Sequence, residues 1–255
     1  MRRLVVVMTD FGLSDPYAGQ VSAVLSACSD VQIISITHEV PPHDVALGAH
    51  IIDASLELLP DGTIFLAVVD PGVGTDRRGL IVRRSGCWMI GPDNGLLTPP
   101  EQDVETWEID RPQTWRPTVQ ATFHARDVFA SVAGRLAAYA RPEWLGTSIK
   151  NPLRIKRMTA HVENGIAYGN VLHVDTFGNL ITSIPASVAQ SASSIRTQLD
   201  GLTIEGLSET YGTGDQFVAL IGSWNLLEVA RPGRSAATEL GVGVGTPVIA
   251  TLMNR

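Results

Sequence analysis

Cysteine is nearly missing from this chain: only Cys28 and Cys87 occur among 255 residues, and they are not spaced as CxxC. A disulfide framework and a cysteine-built zinc site are both unsupported, and two thiols in apolar surroundings are expected to be buried. Positive charge is also short. Nineteen Lys and Arg against 26 Asp and Glu leave a net charge of −7. That balance argues against a general polyanion-binding surface, so no nucleic-acid partner is expected. Long hydrophobic runs are absent too, since Met1-Arg2-Arg3 is followed by only five apolar residues before Thr9-Asp10. That is too short for a secretory signal or a membrane span, and the expectation is a soluble cytoplasmic protein with no membrane partner. Neither HxH nor HExxH occurs, and no metal is expected. Gly72-Val73-Gly74 continues into neither GxGxxG nor GK[ST] and has an aspartate on each side, which makes a phosphate cradle a poor reading.

What the chain does have is enough apolar matter for a large core. Hydrophobic residues make up 44% and charged residues 18%, which excludes the compositional signature of disorder. The length suits two compact domains or one large barrel. In the first 150 residues, continuous apolar runs at 4–8, 31–36, 63–69 and 80–82 alternate with helical spacing at 16–27 and 44–59. Asp15 and Asp44 are plausible N-caps, and Pro16 suits the first helical position. This alternation predicts an α/β domain with a mostly parallel sheet whose strands are covered on both faces. After about residue 155, runs at 167–174, 217–221, 226–230 and 248–252 are separated by Gly, Asn and Asp turns, which predicts a smaller β-barrel domain. The expected domains are 1–150 and 156–255, with Pro142, Gly146 and Pro152 marking the seam.

Ligands of open α/β sheets bind at the carboxyl ends of strands, so the residues after each run matter most. Those are Thr9-Asp10-Phe11-Gly12 with Asp15, Thr37-His38-Glu39 with His43-Asp44, Asp70 to Arg77, and Gly91-Pro92-Asp93-Asn94-Gly95. Each one alone reads as ordinary turn chemistry. Four on one edge point to a site. Phe123-His124-Ala125-Arg126-Asp127 then opens an amphipathic stretch to about residue 139, with His124 at its start. A histidine there is commonly a structural hydrogen-bonder. In the second half, Asp175-Thr176-Phe177-Gly178-Asn179 and Gly222-Ser223-Trp224-Asn225 each read either as a hairpin turn or as part of a ligand shell.

As a set, these residues resemble the S-adenosylmethionine hydroxide adenosyltransferase family, a relative of the bacterial fluorinase and chlorinase. The resemblance runs in order from residue 4 to about 250, and it rests on the motifs just quoted together with Tyr17, Leu96-Leu97, Ser223 and Asn225. It implies an N-terminal α/β domain that binds the adenosyl group and activates water, and a C-terminal barrel on the methionine or adenine side. A homotrimer with sites between chains is implied, with S-adenosylmethionine as the small-molecule substrate and no cofactor. The implied reaction gives adenosine and L-methionine. Asp70, Arg77 and His124 would handle the water: Asp70 accepting a hydrogen bond from it, His124 receiving or relaying its proton, and Arg77 fixing the carboxylate. The substrate-binding residues would be Asp10, on the ribose hydroxyls, with Phe11, Asp15, Asp175, Asn179, Ser223, Trp224 and Arg231. Halide-transferring relatives carry a tyrosine where this chain has Asp70, and fluorinase a serine at the position of Ala125. Halide transfer, a non-catalytic binding module for the same ligand and a metal phosphoesterase are the competing readings.

Overall fold

The computed structural model describes residues 2–99 and 102–253 and divides into two compact units, 1–156 and 157–255. The first unit is built on a seven-stranded sheet: β1 (Arg3–Thr9), β2 (Val31–Thr37), β3 (Ile64–Val68), β4 (Gly79–Arg84), β5 (Cys87–Pro92), β6 (Glu105–Glu108) and β7 (Thr147–Ile149), in the order β2-β1-β3-β5-β4-β6-β7. Strands β2, β1, β3 and β5 are parallel, whereas the pairs β5/β4, β4/β6 and β6/β7 are antiparallel. The sheet is therefore mixed, which corrects the expectation of a mostly parallel one. The cause is local: Ser85 and Gly86 both have positive φ (49° and 75°), the geometry of a two-residue hairpin turn, and a chain reversed so tightly must pair with itself.

Alternate residues of the parallel strands face opposite sides, as a pleat requires. Val5, Val7, Ile64, Leu66 and Val68 join one core with Val21 and Leu25 of α1 (Tyr17–Cys28). Val6, Met8, Phe65, Ala67 and Val69 join a second core with Ala49, Ile52 and Leu56 of α2 (Val45–Leu56). Both faces are thus covered, and each fully buried aliphatic side chain contributes about 1.5–3 kcal/mol. Asp44 caps α2, its Oδ1 accepting from the Leu47 N–H at 2.9 Å. α1 ends on Cys28, which is exposed rather than buried as expected; Cys87, inside the sheet, is buried. The amphipathic stretch after His124 is a π-helical turn, Ala125–Phe129, running into α3 (Ala130–Ala137), which packs beside α1.

The second unit is antiparallel throughout: β8 (His161–Glu163), β9 (Ile166–Val174), β10 (Leu180–Pro185), β11 (Ser194–Leu199), β12 (Leu202–Glu205), β13 (Val218–Ile221), β14 (Leu226–Ala230) and β15 (Pro247–Met253). The order is β12-β11-β15-β9-β10-β14-β13, with β8 on β9, and the end strands β12 and β13 approach each other, giving a nearly closed, barrel-like sheet. Asn164-Gly165 and Asp200-Gly201, all with positive φ, close two of its hairpins. Among the described residues no helix is long and apolar enough to cross a membrane.

Candidate active site

The parallel strands deliver their carboxyl ends to one edge of the first sheet, and the antiparallel β4 begins at that same edge. The 70–78 loop leaves β3 there and returns there, so Asp70 and Arg77 meet although seven positions separate them. Arg77 Nε donates to Asp70 Oδ1 at 2.9 Å and to Oδ2 at 3.1 Å, and Nη2 donates to Oδ2 as well. Both side chains are nearly buried, at 10% and 5% exposure. His124, just before the π-helical turn, has its Nδ1 3.2 Å from Arg77 Nη2. A guanidinium only donates, so Nδ1 accepts, and the ring is neutral with its proton on Nε2. Burial first, and the Arg77 charge second, hold the His124 pKa below the ordinary histidine value. The face of Phe129 lies 5.1 Å from the Arg77 guanidinium and closes the other side.

Asp70 and His124 border a cavity of about 440 Å³ whose lining also includes Asp10, Phe11, Tyr17, Pro42, His43, Val68, Val73, Thr122, Phe123 and Ala125. Its wall holds three rings in edge-to-face contact: Phe11, Tyr17 and Phe123, with centroids 5.4–6.2 Å apart. Asp10 Oδ2 accepts from the backbone N–H of His43 at 3.0 Å, and His43 itself holds a positive φ of 69°. A second cavity of about 310 Å³ includes Arg77, His124, Asp110 and Trp115 in its lining, so His124 borders both spaces.

Of the residues singled out in the first unit, Asp10, Phe11, Asp70 and His124 line one cavity, with Arg77 bonded to two of them. Asp15 is exposed ahead of α1 and is not in that lining. The Gly91–Gly95 motif is a latch. Asp93, 2% exposed, accepts from Arg78 Nε at 2.8 Å and from the Leu153 N–H at 2.7 Å, while Asn94 Nδ2 donates to the Val69 carbonyl at 2.8 Å. His38 is buried between the hydroxyls of Thr9 and Ser35, at 2.8 and 2.9 Å. Thr122 and Pro42 line the cavity without any signal in the sequence beyond their neighbours.

In the second unit, Asp175 and Asn179 form the β9–β10 turn. Asp175 Oδ1 accepts from the N–H groups of Phe177 and Asn179 at 2.9 and 2.8 Å, and Oδ2 accepts from Asn179 Nδ2 at 2.9 Å. Phe177 stands 76% exposed. Ser223 and Trp224 sit in the β13–β14 turn, where Trp224 stacks on His173 with centroids 5.5 Å apart, which sets the two turns side by side. Arg231 is committed elsewhere, to Asp215 at 3.0 Å, Glu239 at 3.1 Å and the face of Phe217 at 5.0 Å. Sequence reasoning passed over Glu228, buried in β14 and bonded to Tyr211 Oη at 2.9 Å. Burial pushes its pKa up and that of Tyr211 up to about 12. One charged residue inside the apolar run 226–230 was the available signal.

This arrangement has counterparts. Family models of the SAM hydroxide adenosyltransferase N-terminal and C-terminal domains match residues 5–146 and 169–249. The chain belongs to the SAM hydroxide adenosyltransferase family. A protein of Thermus thermophilus named (R)-S-adenosyl-L-methionine hydrolase is 37% identical over 96% of this chain and 98% of its own. One of the same name from Salinispora tropica is 34% identical over 93% of both chains. A Nocardia brasiliensis protein named fluorinase is 28% identical over 97% of this chain and 96% of its own. Among solved structures, an uncharacterized conserved protein from Thermotoga maritima superposes with a TM-score of 0.89 at 30% identity, covering 97% of this chain and 99% of that one.

Proposed function

We propose that this enzyme hydrolyses S-adenosyl-L-methionine (SAM) to adenosine and L-methionine by in-line attack of water on C5′ of the ribose. The oxygen–C5′ bond forms as the C5′–S bond breaks, the electron pair stays on sulfur, and one proton is released. A sulfonium leaves as a neutral thioether and needs no general acid, so the protein's work is to hold C5′ in line and to prepare the water. The observation that carries the reading is that Asp70 and His124, bridged by Arg77, stand on the wall of a cavity that also presents Asp10.

A carboxylate offers about four acceptor sites, and Arg77 makes three contacts with Asp70, which leaves room for one water hydrogen. Asp70 is thus the group that orients the water and draws its proton. His124 was expected to receive or relay that proton. With its Nδ1 lone pair facing Arg77, it acts in this arrangement as a neutral donor that fixes the water oxygen. Asp10 takes the ribose hydroxyls, as carboxylates do for vicinal diols, and Phe11 packs against the nucleoside. Asp175, Asn179, Ser223 and Trp224 belong to the methionine or adenine end. Asp15 and Arg231 are carried as further substrate-binding residues. A homotrimer in the cytoplasm completes the reading.

Halide transfer is disfavoured because Asp70 borders the nucleophile position. Two like charges about 4 Å apart cost about 4 kcal/mol at an effective dielectric near 20. The test is incubation of purified protein with SAM in water enriched in the heavy oxygen isotope. Adenosine and methionine should accumulate, with the label in the adenosine 5′-hydroxyl. No adenosine, or label in methionine, would overturn the reaction.

A further inference from the structure

Asp127 is the most completely bound carboxylate near the site, and it does not border the 440 Å³ cavity. Its side chain has no exposed surface. Oδ1 accepts from Arg116 Nη1 at 2.8 Å and Arg126 Nε at 2.7 Å, and Oδ2 accepts from Arg126 Nη2 at 2.8 Å and the Gln120 N–H at 2.9 Å. Its backbone carbonyl also accepts from the Arg116 N–H at 2.9 Å. Four donors hold its pKa down at about 2, against the burial that pushes it up, so it stays ionised at any working pH.

What those donors belong to gives the carboxylate its meaning. Residues 116–122 run mostly exposed and without regular structure, yet this segment leads directly into Phe123 and His124. Such a segment has little burial to hold it. Arg116 and Gln120 tie it to Asp127. Arg126 spreads its guanidinium over the face of Phe123, 4.7 Å from the ring centroid, and reaches Gln20 of α1 at 3.1 Å. The turn carrying Asp127 is π-helical, with the Ala130 N–H donating to the Ala125 carbonyl, a geometry that single-turn insertions adopt at functional positions. The same segment abuts the loop that carries Arg77, since a Cβ built on Gly74 would lie 3.0 Å from the Ala121 carbonyl oxygen.

We infer that Asp127 is a positioning residue for the hydrolysis: through Arg126 and the 116–122 segment it holds Phe123 in the cavity wall and His124 against Arg77. The inference rests on the hydrolytic reading. A misplacement of about 1 Å costs on the order of 10²-fold in rate. Asp127→Asn should therefore lower kcat at least tenfold. If it acts through His124, adding Asp127→Asn to His124→Ala should cost little more than His124→Ala alone, whereas an independent loss of stability would multiply the two effects. Arg126→Gln, at a position 21% exposed, serves if Asp127→Asn does not fold: it releases Phe123 while leaving Arg116 and Gln120 on the carboxylate, and should raise KM at least threefold.

A readout independent of turnover is the His124 imidazole titration followed by NMR. The charged groups acting on that ring are Arg77, Asp70 and Asp127. Asp127→Asn moves its midpoint by charge loss alone, so the informative variant is Arg126→Gln, whose charge is not among those acting on the ring: there the midpoint should move while amide resonances of the second unit stay in place. A kcat within twofold of the parent, multiplicative losses in the double variant, or an unmoved His124 titration would each overturn the proposal. If the parent turns over no SAM but the titration moves as stated, the positioning role stands and the reaction assignment falls.

Discussion

Arg77 has no lone pair to offer, and this fixes the state of both its neighbours. Asp70 must be the carboxylate and His124 must be neutral, because a proton on either facing atom would meet a donor. The pH dependence follows with a definite sign. Burial and the Arg77 charge lower the His124 pKa, so the neutral ring persists as pH falls below the ordinary histidine value of about 6.5. The kcat profile should stay level through pH 6.5 and fall only at more acid pH; an acid limb centred at or above 6.5 would contradict this. Asp70→Ala, Arg77→Ala and His124→Ala should each lower kcat by about 10²- to 10⁴-fold, the range for general acid–base help, with smaller effects on KM. Asp10→Ala should mainly raise KM, because its proposed partner is the ribose. Initial-rate kinetics on the four variants would separate the two groups. The triad types were visible in the sequence, but the Nδ1 contact was not: it depends on the 70–78 loop returning to its own strand edge.

At the scale of elements, what could be read in advance depended on how local the cause is. The runs that became β1 and β3 are apolar on both faces, so they were legible as covered strands; β2, at the edge of the sheet with Gln32 and Ser35 in it, has no fully buried residue and departs from that expectation. β5 and β6 were not foreseen: the apolar part of β5 is only Cys87 to Ile90 before Gly91-Pro92, and β6 is four residues with a glutamate at each end. Ser85-Gly86 held the information that turned the sheet from parallel to mixed, in two residues whose φ values admit a hairpin. Helix contacts show the opposite case, where local preference misleads. Gly134 lies inside α3, and exposed helix interiors gain about 0.5–1 kcal/mol from Gly→Ala. Here a Cβ would sit 2.4 Å from the Cβ of Cys28, at the end of α1. Overpacking of this kind costs about 1–3 kcal/mol, which exceeds the propensity gain. Gly134→Ala should thus destabilise the first unit by about 1–2 kcal/mol, seen as a lower urea midpoint with unchanged slope; a rise in midpoint would show that α1 and α3 separate at little cost.

At the scale of the whole molecule, the proposed ribose and water residues all precede residue 130, while the proposed methionine and adenine residues all follow residue 170. On that proposal, one SAM molecule draws on both sets. Whether the two sets come from one chain or from different chains of a homotrimer is a question of symmetry, and mixing chains answers it. Co-expression of an Asp70→Ala chain with an Asp175→Ala chain gives assemblies in which subunits combine at random. In a head-to-tail ring where one chain's Asp70 serves the neighbour's Asp175, a site is intact when an Asp175→Ala chain supplies the first and an Asp70→Ala chain the second. That occurs with a probability of roughly one half times one half, so about a quarter of the sites should recover. A mass of three chains in solution should accompany the recovery. If each site is built within a single chain, every copy keeps one defect, and the mixture will show no more activity than the better of the two variants alone. Recovery near a quarter of the parent rate therefore requires both the division of labour along the chain and its closure into a ring, and a monomeric mass with no recovery removes the second while leaving the hydrolysis untouched.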